Sequence, residues 1–176
     1  MQQDTKDSSR PIRNDYHYFL TYRTRWSDND QYSHVNNAIY YHLIDSVVNT
    51  YLAERCGCRP SVPSSPNGNA REGPPIGLVV SSYCNFFAPL SFPEPVTLGL
   101  RVVKLGKSSV SYEVGFFSGA EDEEKRNEEP IFTKAVGGYT HVFVDRVHRR
   151  PVKEMNATLR DGLRAILWEP SAKSKL

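Results

Sequence analysis

Three cysteines in 176 residues are too few for a disulfide framework, and an odd number cannot all pair within one chain. Cys56-x-Cys58 has neither the spacing nor the partners of a zinc knuckle or of a redox Cys-x-x-Cys, so a reduced, intracellular protein is the simpler reading. Cys84 stands in an apolar stretch with no basic neighbour to lower its thiol pKa, and reads as a small buried hydrophobe rather than a nucleophile. No apolar run approaches the roughly 20 residues needed to span a bilayer. Charge of one sign is also missing: 22 basic against 20 acidic residues leave a formal +2, which gives nucleic acid little support as the main partner. His17, His34, His42, His141 and His148 show no His-x-x-x-His spacing, and no Gly-x-Ser-x-Gly elbow occurs. Neither a metal site nor a serine hydrolase is therefore expected. The polar segment Met1–Asp15 lacks the apolar centre of a secretory signal and reads as a loose tail.

What is present suits one core: 39% hydrophobic and 11% aromatic residues in a chain of single-domain length, with the domain expected over 16–168 between tails 1–15 and 169–176. Tyr16–Trp26 alternates large apolar groups with Thr21, Arg23 and Arg25, the period of a half-buried strand. Ala38–Cys56 then carries Tyr40, Leu43, Ile44, Val47, Val48, Tyr51 and Leu52 on one helical stripe, with Asn36 or Asn37 as N-cap and Gly57 as stop. Four more strands follow at Gly77–Ala88, Val96–Leu105, Ser109–Ser118 and Ile131–Asp145, with a hairpin turn at Gly106-Lys107. A second helix is expected at Asn156–Trp168, packing on the outside. This order describes an α+β fold, an antiparallel sheet wrapped around one long central helix with a second, C-terminal helix. Cys58–Pro75, crowded with Pro, Ser, Gly and Asn, reads as a long loop, a flap or a tolerated insertion; the acidic and basic run after Gly119 reads as a solvated one. Gly137-Gly138 inside the last strand marks a bend around the helix, or close approach of a partner chain or a ligand.

Between the first strand and the long helix, Asp28–Tyr40 concentrates carboxylates, an imidazole and two amides. A helix N-terminus offers unpaired backbone N–H groups and the positive end of the helix dipole, so the first turn around Asn37 is a ready site for a developing oxyanion. Asp28 reads as an acceptor that structures the loop, and Asn36 as a cap. His34 suits an orienting hydrogen bond as well as a dyad. Tyr40 belongs in the core with its hydroxyl reaching towards the site.

The pattern Asp-x-Asp-x-x-x-His-Val-Asn-Asn-x-x-Tyr over Asp28–Tyr40, followed by a long amphipathic helix, resembles the signature of hotdog-fold acyl-CoA thioesterases of the 4-hydroxybenzoyl-CoA thioesterase type. The resemblance extends from Tyr16 to about Asp145, and Ser33 stands where relatives usually carry Gly. It implies the hotdog fold, a homodimer or homotetramer, and Asp30 as nucleophile or as general base for water. It also implies the Asn37 N–H as the donor that polarises the thioester carbonyl. Coenzyme A enters as part of the substrate and no further cofactor is implied. Lys107, with Ser108 and Ser109, stands at the turn where such enzymes meet the nucleotide, although Leu105 and Gly106 precede it here; Lys104 and Arg101 are further basic candidates. Without the resemblance Asp30 would read as a turn cap. Two rival readings are a hotdog-type enoyl-CoA hydratase, against which the Asp30-x3-His34 spacing counts, and a non-catalytic acyl-CoA binding module. The acyl group is left open.

Ser174-Lys175-Leu176 has the form of the tripeptide read by the peroxisomal import receptor, and it follows Pro170 with no apolar group to bury it. A peroxisomal address is expected on that ground. A fluorescent protein fused to the amino terminus should co-localise with a peroxisomal marker and become cytosolic when 174–176 are deleted; a diffuse signal from the intact fusion would contradict the address.

Overall fold

The computed structural model describes residues 10–59, 74–119 and 130–169. Most of the two expected loops, Cys58–Pro75 and Gly119–Pro130, lies outside the described residues, as do positions 1–9 and the tripeptide Ser174–Leu176. The elements are β1 (Tyr18–Tyr22), α1 (Asn37–Arg55), β2 (Ile76–Phe86), β3 (Val96–Leu105), β4 (Ser109–Ser118), β5 (Ala135–Val144) and α2 (Ala157–Arg164). The five strands form one antiparallel sheet in the order β1-β3-β4-β5-β2, so β1 and β2 are its edges. This is the hotdog arrangement that the sequence pattern implied.

Period-two patterning fixes which side of the sheet meets α1. Val96, Leu98, Leu100 and Val102 of β3, with Val110, Tyr112, Val114 and Phe116 of β4, are buried with Tyr40, Leu43, Ile44, Val47, Val48, Tyr51 and Leu52 of α1 in one core. Each such large side chain contributes about 1.5–3 kcal/mol on burial, so this one stripe holds the helix against the sheet. Gly137 and Gly138 are needed for close approach. A Cβ on Gly137 would stand 2.7 Å from Cδ1 of Ile44 on α1, and one on Gly138 would overlap the Tyr112 carbonyl of β4. The bend around the helix and the contact with a neighbouring strand thus account for both glycines within the chain.

Three expected boundaries move, each for a local reason. The first strand is shorter than Tyr16–Trp26: Tyr16 turns to the other face of the sheet, where its ring lies over Gly99 and Gly115, and Trp26–Asp28 closes a 3-10 turn. The last strand starts at Ala135 rather than Ile131, because the preceding residues pair with the amino-terminal segment, Arg13 N–H donating to the Ile131 carbonyl and Thr133 N–H to that of Pro11. Fastening of the chain therefore begins before Tyr16, and Arg13, inside the expected tail, is buried. The second helix ends at Arg164, after which Val102 N–H donates to the Ile166 carbonyl and Trp168 N–H to that of Val102, extending the sheet edge beyond β1. Nor does α2 pack on the outside. Leu159 and Leu163 are fully buried in the common core, and the Tyr51 hydroxyl donates to the Gly162 carbonyl at 2.5 Å.

One edge is conspicuously apolar. Along β2, Val79, Val80, Tyr83 and Phe86 are all exposed, whereas β3, β4 and β5 are almost wholly buried. No helix among the described residues is long and apolar enough to cross a membrane.

Candidate active site

The strand-to-helix junction is built by backbone hydrogen bonds in both directions. Asp30 N–H donates to the His34 carbonyl (2.7 Å), Asn36 N–H to that of Asp28 (2.8 Å), and Val35 N–H to that of Leu90 (2.7 Å). The Asn29 side-chain oxygen accepts from Phe92 N–H at 3.1 Å, so the loop is also tied to the segment after β2. Ser33 has φ +63°, the left-handed region, which explains why a glycine suits that position and costs a serine about 1 kcal/mol. Asn36 caps α1, its side chain accepting from Ala38 N–H at 2.9 Å, while Ile39 N–H donates to the Asn36 carbonyl. Asn37 is the first residue of the 19-residue helix, and its N–H has no hydrogen-bond partner among the described residues.

The two aspartates play different parts. Asp28 is buried, and its Oδ2 accepts from Arg25 N–H at 2.7 Å and from the Tyr22 hydroxyl at 3.1 Å. It is spent on the turn. Asp30 is half-buried and offers one oxygen to the loop, Oδ1 accepting from Tyr32 N–H (2.8 Å) and His34 N–H (3.1 Å). Its Oδ2 has no hydrogen bond among the described residues. The same residue therefore carries the turn that composition suggested and an unspent carboxylate oxygen.

Asp30, His34, Asn37 and Tyr40 line one cleft of about 300 Å³, completed by Phe86 and Phe87 at the end of β2. The Tyr40 ring makes edge and tilted contacts with Phe86 and Phe116, both at 4.9 Å. Burial pushes the Tyr40 phenol up to about 12, with the nearby Cys84 thiol acting in the same direction and the Leu90 backbone opposing. Tyr40 is thus a neutral donor at the cleft floor. Burial also raises the Cys84 thiol to about 11, which removes it as a nucleophile. His141, stacked 4.6 Å from Tyr139, is pushed down to about 4 by burial and is neutral. Among the described residues no group of three or more His, Cys, Asp or Glu is placed to hold a metal ion.

The turn carrying Lys107, Ser108 and Ser109 is not brought to this cleft. Ser109 pairs with Val142, while the cleft lies at the Phe116–Ala135 end of the same ladder, about 24 Å away at the rise of a strand. Arg101 is neither a phosphate contact nor a surface charge: it is buried on the opposite face of the sheet, its guanidinium 2.7 Å from Oε1 of Glu113. Sequence reasoning missed the aromatic wall of Phe86 and Phe87 and the Asn29–Phe92 tie. Only Pro89, which ends the strand, hinted that the segment beyond β2 turns back towards the loop.

A family model described as the thioesterase superfamily matches residues 32–125. The chain belongs to the thioesterase superfamily. The match takes in His34, Asn37, Tyr40 and the 107–109 turn and begins just after Asp30. Among solved structures, this thioesterase is similar to the PA5185 protein from Pseudomonas aeruginosa strain PAO1, with 42% identity over 92% of this chain and 99% of that one, and a TM-score of 0.74. It shares its fold with a thioesterase from Thermus thermophilus complexed with coenzyme A and Zn, at 23% identity over 85% and 98% of the two chains and a TM-score of 0.59. The fold is also that of BH1999 gentisyl-coenzyme A thioesterase, at 21% identity over 83% and 99% and a TM-score of 0.58. No curated protein matches the chain. As a member of this superfamily the protein is a thioester hydrolase.

The contrast between the aspartates is measurable as stability. Asp28→Ala empties a buried site and leaves the Arg25 N–H and the Tyr22 hydroxyl without their acceptor, and should lower the unfolding free energy by about 3 kcal/mol. Asp30→Ala releases N–H groups of exposed residues to water and should cost about 1 kcal/mol or less. Urea midpoints at unchanged slope would report both, and equal losses would contradict the assignment.

Proposed function

We propose that this thioesterase hydrolyses an acyl-CoA to the free acid and coenzyme A, with Asp30 as nucleophile or general base and the Asn37 N–H as oxyanion donor. What supports this reading is that a single cleft is lined both by a carboxylate with one oxygen and by the first residue of a long helix with an N–H that have no hydrogen-bond partner among the described residues. As the thioester carbonyl is attacked, negative charge grows on its oxygen, and a fixed N–H at the helix N-terminus meets that charge without reorganisation. Such a donor is typically worth about 3 kcal/mol of transition-state stabilisation. In the general-base form Asp30 takes a proton from water as the oxygen adds to the carbonyl carbon. In the nucleophilic form Oδ2 adds, coenzyme A leaves as its thiolate, and water cleaves the resulting anhydride. The two N–H donors on Oδ1 hold the carboxylate aimed in either case. His34 contributes through its backbone, which closes the loop onto Asp30, and its ring forms part of the cleft wall. Tyr40 sets the floor against which the acyl group packs. Coenzyme A as the thiol carrier is supported by the bound coenzyme A in the Thermus thermophilus structure and by the gentisyl-coenzyme A thioesterase of like fold.

The working form we infer is a homodimer joined through β2. An exposed strand edge bearing Val79, Val80 and Tyr83 is an unpaired template for another strand, and a second β2 running antiparallel satisfies its backbone groups. In that two-fold arrangement the Ile76 end of one β2 meets the Phe86 end of the other. The partner's 106–108 turn then lies at the same end of the joined sheet as this chain's cleft, and this is the route by which Lys107, Ser108 and Ser109 reach the nucleotide. Pairs of such dimers would make the homotetramer.

Two measurements test these readings. Asp30→Asn should lower kcat for acyl-CoA hydrolysis, followed as free thiol, by at least about 10²-fold with the fold retained. Turnover within a few-fold of wild type would remove Asp30 from the chemistry. Val80→Asp should convert a dimer to a monomer in sedimentation; a wild-type chain that sediments as a monomer would remove the β2 interface.

A further inference from the structure

The face of the sheet turned away from α1 carries a second cavity, of about 500 Å³, that the hydrolytic site does not use. Its walls mix aromatic and aliphatic groups (Phe87, Val136 and Trp168) with Arg10, Asn85 and the Arg101–Glu113 pair. Trp168 is held there by its N–H bond to Val102, and its ring lies 4.2 Å from the Arg101 guanidinium carbon, with Tyr16 on the other side at 5.0 Å. The charge of Arg101 is already spent, since Glu113 sits 2.7 Å away and Tyr83 donates a long bond of 3.4 Å to the same carboxylate.

Arg10 differs. Its guanidinium carbon lies 5.5 Å from the ring centres of both Phe87 and Phe132, and its Nε is buried with no hydrogen bond. Among the described residues it has no carboxylate partner. Among the described residues this cation, set against two aromatic rings at a cavity wall, lacks an anion, and a charge-assisted, two-pronged bond to a carboxylate is what a guanidinium forms best. Asn85, exposed on β2 beside it, adds an amide with no hydrogen bond among the described residues. The nearby Glu113 carboxylate disfavours a dianion such as a phosphate monoester, leaving singly charged groups. The remaining walls are apolar and of the size that takes a small organic body.

We propose that this outer cavity is a second binding site, for a small monocarboxylate with a flat or short apolar body. The carboxylate meets Arg10 and Asn85, and the body lies against Phe87, Val136 and Trp168. Phe87 also walls the hydrolytic cleft, so the two ligands would sit on either side of one aromatic ring.

Trp168 gives a direct reading of occupancy. In a Trp26→Phe background, which removes the other tryptophan, Trp168 emission is titrated with hexanoate, cyclohexanecarboxylate and the uncharged hexanamide, with and without saturating coenzyme A. The expected result is a saturable change with both carboxylates and none with the amide, at a midpoint that coenzyme A does not move. Arg10→Gln should raise that midpoint at least tenfold. So should Asn85→Asp, which places a repelling charge in the cavity while leaving Arg10 between its two rings. Thermal unfolding of each variant shows that it is folded, and neither residue takes part in hydrolysis. The site is refuted by a non-saturable response, by equal midpoints in wild type and both variants, or by a midpoint that rises with coenzyme A, which would place the carboxylate in the catalytic cleft. None of these outcomes depends on whether Asp30 performs the chemistry.

Discussion

The position of one helix end governs the rest. Asn37 can present its N–H to a substrate only if the chain enters α1 at a fixed angle, and that angle is set by Asn36 and Val35, whose own N–H groups are held by the Asp28 and Leu90 carbonyls. The sheet holds the other end of this frame, since the α1 stripe from Tyr40 to Leu52 is buried against β3, β4 and β5. A helix packed along its whole length cannot slide, so whatever lies at its first turn is preorganised. That is the condition under which a single backbone donor stabilises charge strongly.

Neighbouring carboxylates on one loop divide the work by solvation. Asp28 is enclosed, and a polar group there is tolerable because a backbone N–H and a phenol supply the hydrogen bonds that water would. Asp30 stays at the cleft and needs only two donors to be aimed. The loop thus uses one acid to hold its shape and leaves the other at the cleft, where the proposed chemistry would need it, and the second depends on the first because Asp28 supports the turn from which Asp30 projects. The aromatic residues at the end of β2, Phe86 and Phe87, close the same cleft.

Much of this was legible in the order of residues, for reasons that can be named. The α1 stripe repeats at helical spacing, and β3 and β4 alternate with period two, so element type and buried face follow from local pattern alone. The cluster from Asp28 to Tyr40 was legible because it is contiguous: loop, cap and first helical turn lie within a few residues of one another. What was not legible depended on contacts distant in sequence. The turn of Tyr16 to the outer face follows from Gly99 and Gly115, some 80 to 100 positions later, which leave room for its ring. Arg101 alternates like any exposed strand residue and becomes buried only when Tyr16 and Trp168 close over it. Lys107–Ser109 sits at a hairpin whose distance from the cleft is a property of the sheet and not of the turn. The exposed edge of β2 was hidden for a related reason, since a strand rich in Val and aromatics reads the same whether its partner is in the chain or outside it.

The roles proposed for Asp30 and Asn37 can be seen in a structure of the protein bound to an unreactive acyl-CoA analogue with a methylene inserted between sulfur and carbonyl. The carbonyl oxygen should lie about 2.8–3.1 Å from Asn37 N and the carbonyl carbon within about 3.5 Å of Asp30 Oδ2, or of a water held by it. An analogue whose carbonyl lies away from the first turn of α1, with Asn37 N–H still unspent, would contradict those roles.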